Sequence, residues 1–182
     1  MSLKIVLTGG PGTGKTTIMN QLDTLGHECH HEISRQIILQ GQKNGVDQLF
    51  LEDPLAFSQA LFQGRKAQYL KAHNTANEKV KTATFFDRGL PDVVAYMDYL
   101  NQQSPEDFLK DLENYRYDYV FILPPWQAIH TQDNERYESF DQGQKIHQHI
   151  AKRYEQLGYA PIVVPTGPVL ERTDFILNKL NL

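Results

Sequence analysis

Gly9-Gly10-Pro11-Gly12-Thr13-Gly14-Lys15-Thr16 matches the pattern G-x-x-x-x-G-K-[ST] and follows directly on the apolar run Leu3–Thr8. A turn of this composition points successive backbone N–H groups inward, and the helix after it adds its positive N-terminal end. Its lysine reaches the outer phosphates of a nucleotide. Lys15 is therefore expected to hold phosphate and Thr16 to give its hydroxyl to Mg²⁺, with Thr17 beside them on the same helical turn. Gly9, Gly12 and Gly14 permit the positive φ and close approach that a Cβ would obstruct. The dinucleotide fingerprint G-x-G-x-x-G fails, because Gly10 and Gly12 would need a glycine where Lys15 stands. A nicotinamide or flavin oxidoreductase is thereby disfavoured.

A second chemical feature is Thr84-Phe85-Phe86-Asp87-Arg88-Gly89, an apolar strand ending in a carboxylate at the edge where open parallel sheets place their ligands. Asp87 suits a Mg²⁺ ion and is also a candidate acceptor of the proton from an attacking hydroxyl. Arg88 offers a planar fork matched to phosphate oxygens, either on the transferred group or on an anionic acceptor. The simpler alternative is a helix cap followed by a surface arginine. A third feature is Glu28-Cys29-His30-His31-Glu32-Ile33-Ser34-Arg35, running from a short strand into a helix. Glu32 is a candidate base facing the acceptor side of the loop, and Arg35, one turn on, would orient a hydroxyl-bearing substrate with it. The competing reading is an i,i+3 surface ion pair. His27, Cys29, His30 and His31 lack both C-x-x-C and H-E-x-x-H spacing, so a structural zinc is disfavoured.

The fourth feature joins Leu123-Pro124-Pro125-Trp126 to Asp133-Asn134-Glu135-Arg136-Tyr137-Glu138 and reads as a lid over about 125–142. Arg136 is the expected charge clamp, with Arg153 the second choice; alternatively these charges line a solvated helix face. Trp126 either packs or stacks on an acceptor ring. Near the C-terminal end, Val163-Val164-Pro165-Thr166-Gly167-Pro168 joins the fifth strand to the last helix, with Arg172 one turn in. By analogy of fold with small phosphate-loop kinases the turn borders the base and Gly167 belongs to the nucleotide site, the alternative being an ordinary strand–helix turn.

The elements that must position these residues alternate. Strands are predicted at Lys4–Thr8, Glu28–His31, Ala83–Asp87, Tyr117–Leu123 and Pro161–Pro165. Helices are predicted near Lys15–Leu25, Ile33–Gln42, Pro54–Lys81, Pro91–Leu100, Pro105–Asn114, Gln142–Leu157 and Val169–Leu180. This order implies an α/β fold: a three-layer α/β/α P-loop NTPase sandwich around a five-stranded parallel sheet, in one domain spanning 1–182. With 182 residues and a formal charge of −4, the chain is the size of one such unit and carries no basic block for nucleic acid. A single cysteine excludes an intramolecular disulfide, and neither a signal-peptide hydrophobic region nor a membrane-length apolar run occurs, so the cytoplasm is the default expectation.

The chain resembles the small P-loop kinase-like ATPases grouped with the ribosylnicotinamide kinase domain of NadR. The resemblance covers nearly the whole length and rests on Gly9–Thr16, Glu32-x-x-Arg35 and Asp87-Arg88-Gly89-Leu90-Pro91-Asp92. It rests further on Leu123-Pro124-Pro125-Trp126 with Asp133-x-x-Arg136, and on Leu157-Gly158-Tyr159. Kinases of the thymidylate type share the Asp-Arg pattern. The resemblance implies use of ATP and Mg²⁺, and the leading expectation is phosphoryl transfer from ATP to a small hydroxyl-bearing, nucleoside-like metabolite. The other expectation is a regulatory ATPase or GTPase acting through a protein or lipid partner. Ras-type guanine recognition is disfavoured because Asn178-Lys179 is followed by Leu180 and Asn181. Asp-Arg after the third strand, rather than Asp-Glu, argues against an oligomeric motor. Monomer and homodimer both stay open.

Overall fold

A computed structural model describes residues 3–46, 48–74, 83–129 and 138–182. Five strands, β1 (Leu3–Gly9), β2 (Glu28–His30), β3 (Ala83–Asp87), β4 (Tyr119–Leu123) and β5 (Ile162–Val163), form one sheet in the order β2-β3-β1-β4-β5. Every pairing is parallel. Helices α1 (Lys15–Thr24), α2 (Ser34–Lys43), α3 (Leu49–Glu52) and α4 (Pro54–Asn74) precede α5 (Leu90–Tyr99), α6 (Glu106–Asn114), α7 (Phe140–Gln156) and α8 (Val169–Leu180).

The central strands are apolar on both faces because helices cover both. Alternation along β1 sends Ile5 and Leu7 to the face covered by α1 and α8, where they meet Ile18, Met19, Leu22, Ile176 and Leu180. Val6 points the other way, toward Ala95 of α5 and Ile146, Ile150 and Tyr154 of α7. In β4, Phe121 and Leu123 take the first face while Val120 and Ile122 take the second. Truncating a fully buried side chain such as Leu7 to alanine costs about 2–5 kcal/mol in such a layer. A third cluster, built on stacked Phe62 and Phe108, seats α4 and α6 against α5.

The register matters for chemistry. Leu7 pairs with Asp87, and Arg88 N–H donates to the Leu7 carbonyl at 3.0 Å, so the end of β3 is held beside the end of β1. Several elements depart from the sequence pattern for local reasons. The fourth strand begins at Tyr119 rather than Tyr117, because the Tyr117 N–H is taken by the Tyr159 hydroxyl. The fifth shrinks to two residues between Pro161 and Pro165, which cannot donate to a ladder. The seventh helix starts at Phe140, not Gln142, because Ser139 and Gln142 cap each other: Gln142 N–H donates to Ser139 Oγ at 3.2 Å and Ser139 N–H to Gln142 Oε1 at 2.8 Å. Short α3 is not announced by the sequence pattern, and the predicted end of the fourth helix, 75–81, lies outside the described residues. Among the described residues no helix is long and apolar enough to cross a membrane.

Candidate active site

The loop between β1 and α1 sits at the centre of the sheet's C-terminal edge. Gly9, Gly12 and Gly14 all have positive φ, and Gly14, at φ 84°, is the left-handed residue from which α1 starts. Gly10 is required for a different reason: a Cβ there would lie 2.6 Å from the Gly143 carbonyl of α7. The loop is thus clamped onto α7. Lys15 folds back over it, its Nζ donating to the Gly10 carbonyl at 2.7 Å, the Gly9 carbonyl at 3.2 Å and Thr13 Oγ1 at 3.3 Å. Burial and, next, the Arg88 charge pull the Lys15 ammonium down to about 7, against the upward pull of Asp87, Asp92 and Glu32. Thr16 and Thr17 are exposed on the first turn of α1.

Asp87 ends β3 facing this lysine. Its carboxyl is buried, and Oδ1 has no hydrogen-bond partner among the described residues. Desolvation raises its pKa first and the Glu32 charge adds to this, with Lys15 and Arg88 opposing. An orphaned carboxylate oxygen and the Thr16 hydroxyl on the first turn of α1 are hard-oxygen donors, a chemistry that fits Mg²⁺. Arg88 follows with φ 73°, a left-handed conformation uncommon for a non-glycine residue. That turn aims its guanidinium back at the loop, where Nη1 donates to the Gly9 carbonyl at 3.0 Å.

Glu32, just past β2, accepts from four groups. Arg65 Nη2 spans both its oxygens at 3.1 and 3.0 Å, and Arg88 Nε lies 3.0 Å from Oε2. The backbone N–H groups of Ile33 and Ser34 reach Oε1 at 2.9 and 3.1 Å. Although burial opposes it, the two guanidiniums hold the Glu32 carboxyl down at about 2. Arg35 is exposed on the first turn of α2.

Two residues in this cluster escape a reading of the sequence for chemistry. Asp92 is fully buried in α5 and accepts from Thr8 Oγ1, from the Gly89 N–H at 2.8 Å and from the Tyr154 hydroxyl at 2.6 Å, with Arg88 Nη1 at 3.3 Å. Arg65 also donates to the Gly89 carbonyl at 3.2 Å, while its buried Nε has no partner among the described residues. The signal for Arg65 lies in spacing: Ser58, Phe62, Arg65, Tyr69 and Ala72 recur every three or four residues, which puts a cation on the inward stripe of α4.

On the other side of the loop is a cleft of about 530 Å³ lined by Gly12, Gly14, Thr17, Trp126, Gly167 and Arg172. Buried Arg172 donates from Nη2 to the Thr13 carbonyl at 2.9 Å, and its guanidinium carbon lies 5.7 Å from the centre of the Trp126 ring. Gly167 and Thr17 therefore line one cleft together with Trp126, which does not join Glu32 and Arg35. β3 and β1 intervene between β2 and β4, a separation of about 14 Å at ~4.8 Å per strand. Arg153 is also displaced from its expected role. It pairs with Asp98 of α5 at 2.5 Å, and ten residues of α7 carry it about 15 Å along from the Gly143 that touches the loop. Asp133 and Arg136 lie outside the described residues. The His30 ring stacks on Phe86 at 5.1 Å, and burial with the charges of Asp23 and Glu28 pushes the Cys29 thiol up to about 12, away from thiolate chemistry.

Comparison with solved structures finds the same architecture at low identity. Deoxyadenosine kinase from M. mycoides with products dCMP and dCDP bound superposes with a TM-score of 0.67 and 21% identity, covering 98% of this chain and 99% of that one. Thymidylate kinase from Ehrlichia chaffeensis gives 0.64 and 16%, covering 98% of each. NadR in complex with NR gives 0.63 and 18%, covering 99% of this chain and 49% of NadR, so the chain spans about half of that protein. No curated protein matches the sequence. A family model described as AAA domain matches residues 4–172, and the chain belongs to that family.

Proposed function

We propose that this protein is an ATP-dependent kinase that phosphorylates a small hydroxyl-bearing, nucleoside-like metabolite. The observation that carries the reading is the packing of Glu32, Asp87 and Arg88 against a phosphate loop whose lysine they perturb. A hydrolytic switch needs a positioned water but has no need of a second charged wall; a transferase needs one to seat its acceptor. The likeness to deoxyadenosine, thymidylate and NadR structures supports the same class.

In this reading Lys15 leaves the Gly9 and Gly10 carbonyls for the outer phosphates of ATP, and the loop N–H groups cradle the chain. Thr16 and Asp87 would hold Mg²⁺, which would supply neutralisation of phosphate charge. Gly9, Gly10, Pro11, Gly12, Thr13 and Gly14 line the phosphates, while Thr17, Gly167, Trp126 and Arg172 border the nucleotide's base end. Glu32 accepts a hydrogen bond from the acceptor hydroxyl and orients it in line; with Asp87 committed to the metal, it also takes the proton. Its low basicity is no obstacle, because in a loose transition state the hydroxyl sheds its proton late, once bonding to phosphorus has acidified it. Arg88 spreads the charge of the transferring group, and Arg136 is assigned the same task from the lid. Arg35 borders the acceptor.

The test is Mg²⁺-dependent ATP consumption against a panel of nucleosides, nucleotides and vitamin-like alcohols, with Lys15→Ala as the blank. Stimulation by one compound, lost in the variant, is expected. Nucleotide binding without stimulation by any compound, and with GTP bound as tightly as ATP, would replace the kinase with a regulatory nucleotide-binding module.

A further inference from the structure

We infer that the acceptor meets this site through a hydroxyl on an uncharged part of the molecule, and that a 5′-phosphorylated form of the same compound is rejected. The inference rests on the kinase reading and specifies its substrate class.

Four charged side chains make the wall beyond Asp87, two cations and two anions: Arg65, Arg88, Glu32 and Asp92. They form a closed ring. Arg65 bridges both Glu32 oxygens, Arg88 joins Glu32 to Asp92 at 3.0 and 3.3 Å, and Arg65 returns to the Gly89 carbonyl, whose own N–H is held by Asp92. A site built for a phosphate monoester keeps guanidinium forks turned toward the ligand. Here both guanidiniums are engaged by carboxylates and backbone carbonyls: Arg65 by Glu32 and Gly89, Arg88 by Glu32, Asp92 and Gly9.

The order of exposure sharpens the point. The Glu32 side chain is 25% exposed, against 11% for Arg88, 5% for Arg65 and none for Asp92. What an incoming acceptor meets first is a carboxylate, with the cations behind it. That surface attracts a hydroxyl proton and repels a phosphate dianion, so the ring selects by charge. Arg65 is a positioning residue in this scheme: it pins Glu32 forward and cancels itself as an anion site. A ring with Arg65 and Asp92 buried and Glu32 and Arg88 half-buried resists opening, because freeing one guanidinium strands a carboxylate in a poorly solvated place.

The experiment is calorimetric binding, in the presence of Mg²⁺ and a non-hydrolysable ATP analogue, of deoxyadenosine, deoxycytidine, thymidine and ribosylnicotinamide, each beside its own 5′-monophosphate. Wild-type protein is expected to bind at least one unphosphorylated member, with its monophosphate about 100-fold weaker or worse. Glu32→Gln, which turns the ring net positive, is expected to narrow that ratio tenfold or more by strengthening the monophosphate, whereas a merely structural loss would weaken both alike. A monophosphate bound as tightly as its nucleoside by the wild-type protein would overturn the inference and leave the kinase reading standing. If no member of any pair binds, and no hydroxyl compound stimulates ATP consumption, both fall together.

Discussion

Lys15 gives the sharpest quantitative handle on the loop. Without nucleotide its ammonium sits among loop carbonyls at a pKa of about 7, held down by burial and by Arg88. On phosphate oxygens it should return to or above the ordinary lysine value of about 10.5. At pH 8 the free site is therefore only about one-tenth protonated and the bound site fully so, and ATP binding should take up about 0.9 proton. At pH 6 the free lysine is already about nine-tenths protonated, and its share of the uptake falls to about 0.1. The linkage has a definite sign: as pH rises above 7 the free protein sheds a proton that the complex requires, so affinity falls about tenfold, or about 1.4 kcal/mol, per pH unit. The ligand's outer phosphate has lost its last proton, of pKa about 6, by pH 8 and does not mask the effect. Calorimetry of ATP binding at pH 8 in two buffers of different ionisation enthalpy reads the proton count directly. Uptake near zero, or equal uptake in Lys15→Ala, would refute the argument.

Asp87→Asn keeps the shape of the buried strand end but removes its charge, and turnover should fall about 10²- to 10⁴-fold with a raised Mg²⁺ requirement and an unchanged circular dichroism spectrum. Unchanged turnover would remove Asp87 from the metal site. Trp126 is the sole tryptophan, so its fluorescence should respond to ATP but not to acceptor alone. Trp126→Ala should raise the KM for ATP about tenfold, from 1–3 kcal/mol of lost stacking, and leave the acceptor KM alone; the reverse pattern would return Trp126 to the acceptor side. Glu32 has a folded-state pKa lowered to about 2, so its ion pairs contribute stability above the ordinary glutamate range that is lost as pH falls through 4 toward 2, about 3 kcal/mol in all. Urea midpoints should show this slope in the wild type and a flatter one in Glu32→Gln, and equal slopes would mean the Arg65 and Arg88 pairs add no net stability.

What could be read ahead of the structure follows from how local each constraint is. The phosphate loop and the Asp87-Arg88 strand end are contiguous, and their chemistry is carried by backbone turns and strand alternation that act over a few residues. Glu32 was legible for the same reason, as a carboxylate where a strand meets a helix. Its partner was not. Sequence proximity suggests Arg35, one turn away on the same helix, yet the guanidinium nitrogen that spans both Glu32 oxygens comes from Arg65, 33 residues on. That pairing exists only because α4 packs so closely on the start of α2 that a Cβ on Gly64 would strike Ile33 Cδ1. The side of the loop on which Trp126 falls is hidden for the same reason: strand order, which no local pattern encodes, puts β4 and β2 on opposite sides of the loop. The general consequence is that a buried cation on an otherwise inward-facing helical stripe marks a partner elsewhere in the fold, since such a charge is stable only when paired. In this chain the partner is the carboxylate proposed to meet the acceptor, so on that proposal the side chain least visible in the sequence sets the charge the site presents.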